Sequence, residues 1–243
     1  MEEDNVIDFN FWPSFADLML AIVLILVLVL FLVNAVISVG VVNLRDVRKN
    51  QKTLVETIAS SYGVKSHEME ANTVGISTEG SGNYDIMIRS EATLQRITFS
   101  DKILFNPDDY KLNAKGEGAL RKVGEALKGQ LAFIREIQIQ GHADTDRSGR
   151  FGSNIELAAQ RAIKVFEFFQ KEIEIDPAKH LMSVTSFGEF KPIKRTGNER
   201  QYDQRMLLEH NRTPELKGDN RRIELLLFYH LQDARRSASA LGR

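Results

Sequence analysis

Cysteine is absent from the 243 residues of this chain. That one absence excludes disulfides, thiolate metal sites, thiol nucleophiles and a cysteine-linked lipid anchor. An excess of either charge is missing too. Lys and Arg number 32 against 33 Asp and Glu, so there is no basic footprint and no direct nucleic-acid partner is expected. Proline is sparse at five residues and the sixteen glycines are ordinary usage, which argues against long disordered or collagen-like segments. What the chain has in abundance is unevenly spread: much of its apolar material lies in one run near the N-terminus, and the remainder suffices for one domain with appendages.

Every residue from Leu18 to Val33 is apolar, and only Asn34, Ser38, Gly40 and Asn43 interrupt the stretch through Leu44. Leu18 to Val42 gives roughly 37 Å of helix, enough to cross a bilayer with tilt. A secretory signal would be shorter and would open on basic residues. Here Glu2, Glu3, Asp4 and Asp8 precede the run, with no Lys or Arg. The expectation is an uncleaved transmembrane helix over 14–43 behind a short N-terminal segment, 1–13. Arg45, Arg48, Lys49 and Lys52 follow it. The positive-inside rule, taken alone, puts the C-terminal part in the cytoplasm.

Asp17 stands where polar sequence becomes apolar, in Trp12-Pro13-Ser14-Phe15-Ala16-Asp17-Leu18-Met19. Two readings are open. In one, Ser14 caps the helix and Asp17, three residues on, completes a capping box favoured by the helix dipole. In the other, Asp17 is a membrane carboxylate that carries an ion. An acid in lipid is costly unless it faces a partner or a hydrated path, and one that does can alternate between charged and neutral forms.

Beyond the span, Leu44, Val47, Gln51, Leu54 and Ile58 fall at 3-4-3-4 spacing, an a/d pattern suited to two copies leaving the membrane side by side. Tyr62-Gly63 ends it. Thr73–Ser77 and Tyr84–Arg89 flank Glu79-Gly80-Ser81-Gly82-Asn83, which reads as a hairpin or as strands at a domain edge. Residues 44–90 are therefore a linker with helical and strand segments. From there the periodicity alternates between two and 3.6, and a domain is expected over 91–233, with a flexible tail at 234–243. Ile97–Phe105 carries strand-forming residues, and Asn106-Pro107-Asp108-Asp109 is a turn. Leu112, Gly116, Leu120, Val123 and Leu127 form a helical stripe, and Ile137 and Ile139 alternate with polar residues as in a half-buried strand. Asn154–Lys171 is a helix that buries Ile155, Ala158, Ala162, Val165, Phe166 and Phe169. Val184–Phe187 and Ile223–Phe228 are further strands. The sum is an α+β domain with two long helices on one sheet.

Gly141-His142-Ala143-Asp144-Thr145-Asp146 is the most informative loop. His142, Asp144 and Asp146 suggest a metal site, but no further ligand cluster closes the coordination, and no metal or cofactor is expected. Asn154 and Arg161, seven apart, share a face of the following helix with Leu157 between them. The loop acid and helix arginine can then converge on a zwitterion, Asp144 taking an ammonium and Arg161 gripping a carboxylate. The alternative is a surface salt bridge between Asp144 and Arg161, worth little. An enzyme would need a nucleophile or paired carboxylates, and nothing beyond the His142 cluster suggests either, so no catalytic activity is expected.

Four motifs in order resemble the OmpA-like peptidoglycan-binding domain: Gly141-His142-Ala143-Asp144; Asn154-Ile155-Glu156-Leu157 leading to Arg161-Ala162; Gly188-Glu189-Phe190-Lys191-Pro192; and Asn220-Arg221-Arg222 before the last strand. The resemblance implies a βαβαβ-type fold with peptidoglycan as ligand. It implies that Asp144 and Arg161 hold the diaminopimelate of the peptide stem, with Asn154 and Leu157 completing the contact. Ala143 replaces the usual Thr, and Glu199–Gly218 is a long charged insertion with room for a short helix. Ala16-Asp17-Leu18-Met19 behind an aromatic-rich start is similar to the transmembrane helix of MotB-like stator B subunits, whose aspartate binds the ion that drives the motor. Together these imply an ion-driven, proton-driven stator B subunit. It would be a homodimer within a pentamer of a MotA- or ZorA-like multi-span A subunit, with 44–90 restraining ion flow until the outer domain docks. Because the wall lies outside the inner membrane, the implied orientation is N-terminus cytoplasmic and domain periplasmic, against the positive-inside count. The short acidic start, the Ala-Asp-Leu-Met sequence and the insertion resemble most the ZorB subunits of Zorya anti-phage systems. A flagellar-type stator and a plain peptidoglycan-tethering anchor are the alternatives.

Overall fold

The computed structural model describes residues 11–63, 67–68, 72–77, 84–197 and 201–231, the side chains of 38–43 and 67–68 excepted. The acidic start, the Glu79–Asn83 turn, the first residues of the insertion and the tail lie outside them. The chain divides into two compact units, one containing the residues up to Arg45 and the other Asp46–Gln232.

Helix α1 (Trp12–Ser61) contributes to both units. In the first, Trp12–Ile37 is long and apolar enough to cross a membrane, with a mean hydropathy of 3.3 in its richest 18-residue window. Pro13 is tolerated because the first turn has no amide to place in an intrahelical bond. The Phe15 amide already donates to the Phe11 carbonyl at 3.0 Å. Ser14 therefore lies inside the helix rather than at its cap, and Asp17 is its sixth residue. Ser14 and Asp17 do not form the capping box that their spacing suggests. Phe11, Trp12 and Phe15 pack ring on ring, a cluster suited to a membrane interface. The polar interruption at Asn34 is satisfied within the helix, its side-chain amide donating to the Leu30 carbonyl at 2.9 Å.

The second unit is a seven-stranded mixed sheet in the order β1-β2-β3-β4-β7-β5-β6. The strands are β1 (His67–Glu68), β2 (Thr73–Ile76), β3 (Ile86–Ser90), β4 (Leu94–Ser100), β5 (Ile134–His142), β6 (Leu181–Gly188) and β7 (Arg222–Tyr229). All neighbours are antiparallel except β5 and β6. Helices α3 (Ala114–Lys128) and α4 (Asn154–Lys171) cover one face, where Ile97, Phe99, Ile137, Ile139, Leu225 and Leu227 meet Leu120, Val123, Ala162, Val165 and Phe169 in one core. The alternation of two in the strands and the apolar stripe of each helix account for that layer.

Three expectations change. The run Ile97–Phe105 is not one strand: β4 ends at Ser100 and Asp101–Leu104 forms a single helical turn, α2. Leu104 and Phe105 are buried at this corner, and a short apolar run fills a corner as well as it continues a strand. On α4, Leu157 and Phe168 join the buried face, Phe166 only flanks it, and Ile155 is exposed. The a/d pattern after the span faces the chain's own domain rather than a second helix. Val47, Gln51, Leu54 and Ile58 are buried with Val55 and Ala59, a stripe wider than a two-helix seam and matched to a sheet-sized core.

Candidate functional site

At the ends of β5 and β7 nearest α4, a cleft of about 600 Å³ is lined by Asp101, Asp144, Asn154, Leu157, Arg161 and Arg221, among others. Close packing of α4 on β5 places it. A Cβ on Gly141 would stand 2.1 Å from the Ala158 carbonyl oxygen, so only glycine lets the helix backbone come this near. Beyond Gly141 the chain turns, and Asp144 fixes the turn by accepting the Asp146 amide at 2.9 Å. Ser153 caps α4 by accepting the Glu156 amide. Asn154, the first helical residue, donates to the Asp144 carbonyl at 3.0 Å. The loop Asn106–Asp109 closes the opposite wall, Asp108 accepting the Ser148 hydroxyl at 2.5 Å and the Gly149 amide at 3.0 Å.

Asp144, Asn154, Leu157 and Arg161, the four residues expected from the sequence, all line this one cleft. They are buried rather than at its mouth. No ion pair joins Asp144 to Arg161. Asp144 pairs instead with the Arg221 guanidinium. Arg161 reaches Asp101 at 3.0 Å, and its Nε donates to the Asp109 carbonyl at 2.8 Å. Arg221 also approaches Asp101 at 3.9 Å, and the Arg161 guanidinium lies over the Phe105 ring. The result is a box of two acids and two arginines. Burial pushes the Asp101 carboxyl above its ordinary range, against the pull of Arg161 and Arg221 and with the help of Asp144. Such a box can receive a group carrying both charges, its carboxylate on the arginines and its ammonium on the acids.

Asp101 and Arg221 were not among the expected site residues. Arg221 stands in the Asn220-Arg221-Arg222 motif, so a signal for it existed; Asp101 lay hidden in the apparent strand. The insertion before β7 forms two short helices, α5 (Gln204–Glu209) and α6 (Pro214–Asn220). Lys217 on α6 meets Asp146 at 2.5 Å, so the insertion supplies part of the rim. Asp17 belongs to the other unit.

His142 does not join Asp144 and Asp146. Strand alternation turns it to the sheet face opposite α3 and α4, where it stacks on Phe187 and stands 3.6 Å from Glu224. Burial is the main cause that lowers its imidazole to about 4. Burial would raise the Glu224 carboxyl, but the facing His142 and the guanidiniums of Arg222 and Arg96 outweigh it and hold Glu224 well below the usual range. Among the described residues, no three His, Asp or Glu side chains gather as a metal centre requires.

The family model of OmpA matches residues 104–205, which take in α3, α4 and most of the cleft. A MotB-like protein from Desulfovibrio vulgaris is similar in structure, with a TM-score of 0.58 at 19% identity over 80% of this chain and 98% of that one. The periplasmic domain of Helicobacter pylori MotB is similar with a TM-score of 0.51 at 17% identity, over 70% of this chain and 96% of that one. The fold is thus an N-terminal apolar helix and an OmpA-like α/β domain with a mixed sheet, matching MotB periplasmic domains. No curated protein matches the chain.

Proposed function

We propose that this chain is the single-span B subunit of an ion-driven, proton-driven motor of the inner membrane, tethered to peptidoglycan by the cleft. The observation that carries the reading is the charge box of Asp101, Asp144, Arg161 and Arg221 on an OmpA-like fold. A diaminopimelate-type stem residue brings one ammonium and one carboxylate to the same carbon. Asp144 takes the first, sharing or displacing Arg221, and Arg161 takes the second, with Asn154 and Leu157 beside it. The domain is then periplasmic and the N-terminus cytoplasmic, and Asp17 carries the ion at the membrane mouth. Two copies sit within a pentamer of a multi-span A subunit. The Ala16-Asp17-Leu18-Met19 sequence and the α5–α6 insertion favour the membrane motor of a Zorya-type anti-phage system over a flagellar stator. Helicase- or nuclease-like genes beside this one, rather than motility genes, are the expected neighbourhood.

The test is co-sedimentation of the solubilised full chain with purified sacculi. Asp144→Asn keeps the shape and the turn but loses the charge, and Arg161→Lys keeps the charge but loses the fork. Each should weaken binding by about tenfold or more with an unchanged circular dichroism spectrum. Wild-type binding by both folded variants would remove the cleft as the wall-binding site.

A further inference from the structure

We infer that the free edge of β6 is a self-pairing surface, through which two copies of this chain join by antiparallel β6–β6 pairing about a two-fold axis at Val184. The sheet ends at β6, and no described segment pairs with its outer side. The opposite edge, β1, is only two residues long, which is one way proteins blunt an edge; charges, prolines and bulges along the strand are others. β6 uses little of this. Its eight residues, Leu181-Met182-Ser183-Val184-Thr185-Ser186-Phe187-Gly188, include no charge and no proline. The one irregularity in its pairing lies at its far end, beside Phe187. Leu181 is 58% exposed and Val184 37%, and Ile155 and Phe190 add exposed apolar surface beside them.

The strand is complementary to itself in one direction. With Val184 on the axis, Val184 meets its own copy, Leu181 faces Phe187, and Ser183 faces Thr185, each a favourable cross-strand pair. The flanks select the same direction. Lys179 and His180 precede β6 and Glu189 follows it. Antiparallel pairing brings Lys179 of one copy toward Glu189 of the other at both ends, whereas parallel pairing sets like beside like. Glu189 has a buried carboxylate oxygen without a hydrogen-bond partner among the described residues, and the Lys179 ammonium makes an exposed contact to Asp176 at 3.8 Å. This gives the homodimer of the proposed function an interface and does not depend on the cleft's ligand, so failure here leaves the sacculus result standing.

The absence of cysteine makes the test clean. On an antiparallel axis, facing Cα atoms stand about 4.5–5.5 Å apart, within disulfide reach. In membranes treated with a mild oxidant, Val184→Cys in the full chain should yield disulfide-linked dimers on the order of tenfold more than Glu125→Cys, a control on the exposed face of α3. Co-expressed Ser183→Cys and Thr185→Cys chains should cross-link to each other more than Ser183→Cys does to itself. Both patterns are required. Val184→Cys dimers at the control level, a preference of Ser183→Cys for itself, or capture of a different protein in place of a second copy would each overturn the pairing.

Discussion

At His142 the motif that carries the cleft also carries a group with a different task. Asp144 turns into the groove, while His142, two residues earlier, is packed neutral against Phe187 and faces Glu224, Arg222 and Lys191 on the other side of the sheet. Its folded value of about 4 lies below the ordinary 6.5. Between those two values the unfolded chain takes up a proton that the folded chain refuses, so stability falls as pH drops from 6.5 to 4 and this contribution changes no further below that. The full effect is about 3 kcal/mol. Glu224, held low, adds a further loss in acid below its unfolded range near 4.5. In urea titrations followed by circular dichroism, His142→Gln should be less stable than wild type at pH 7.5, with the gap narrowing toward pH 4.5. A gap independent of pH would mean that the imidazole does not titrate in this way. At the same scale, Asp144, Asn154, Leu157 and Arg161 were legible because the motif spacing fixes them relative to α4. Asp101 was not, because its role is set by Arg161 and Arg221, which come from α4 and the end of α6, and no local pattern in 97–105 encodes them.

At the scale of elements, residues 46–61 show how a periodicity can be right and its partner wrong. The spacing of Val47, Gln51, Leu54 and Ile58 gives a buried helical face, as it should. It does not say what buries that face, and Val55 and Ala59, which widen it, mark a sheet-sized surface. Helices α3 and α4 and strand β5 were legible from their periods, because each pairs one apolar face with one polar face, whereas β6 and β7 were legible only as short runs of strand-forming residues. The polar seam under α1 was not, since it depends on long-range partners. Gln51 donates to the carbonyls of Glu91 at 3.0 Å and Leu94 at 3.3 Å. Gln95 donates back to the Gln51 carbonyl at 3.1 Å and accepts the Tyr229 hydroxyl at 2.7 Å. Gln51→Ala leaves two carbonyls without these donors and should cost about 2 kcal/mol. Hydrogen exchange locates the effect: faster exchange is expected at amides of 46–61 and around 90–95, with β5 and α4 unchanged. Uniform acceleration across the domain would mean that the seam is no separate fastening.

At the scale of the whole molecule, the two units pose different electrostatic problems. The cleft balances its four charges within the fold. Asp17 lies on an apolar helix, Trp12–Ile37, whose other residues offer it no positive charge. A carboxylate so placed in lipid needs a hydrated path or polar faces from other helices, which is what the proposed A-subunit pentamer around two copies of this chain supplies. Asp17→Asn keeps size and polarity but cannot exchange an ion. It should abolish phage protection or motility, whichever the host shows, while membrane insertion, association with the partner and sacculus binding stay at wild-type levels. Asp17→Glu, which keeps the carboxylate, should retain part of the activity. The combination separates ion carriage from a packing role. If Asn works as well as Asp, the carboxylate is not needed for transport; if Asn and Glu fail alike and the complex no longer forms, Asp17 serves assembly instead.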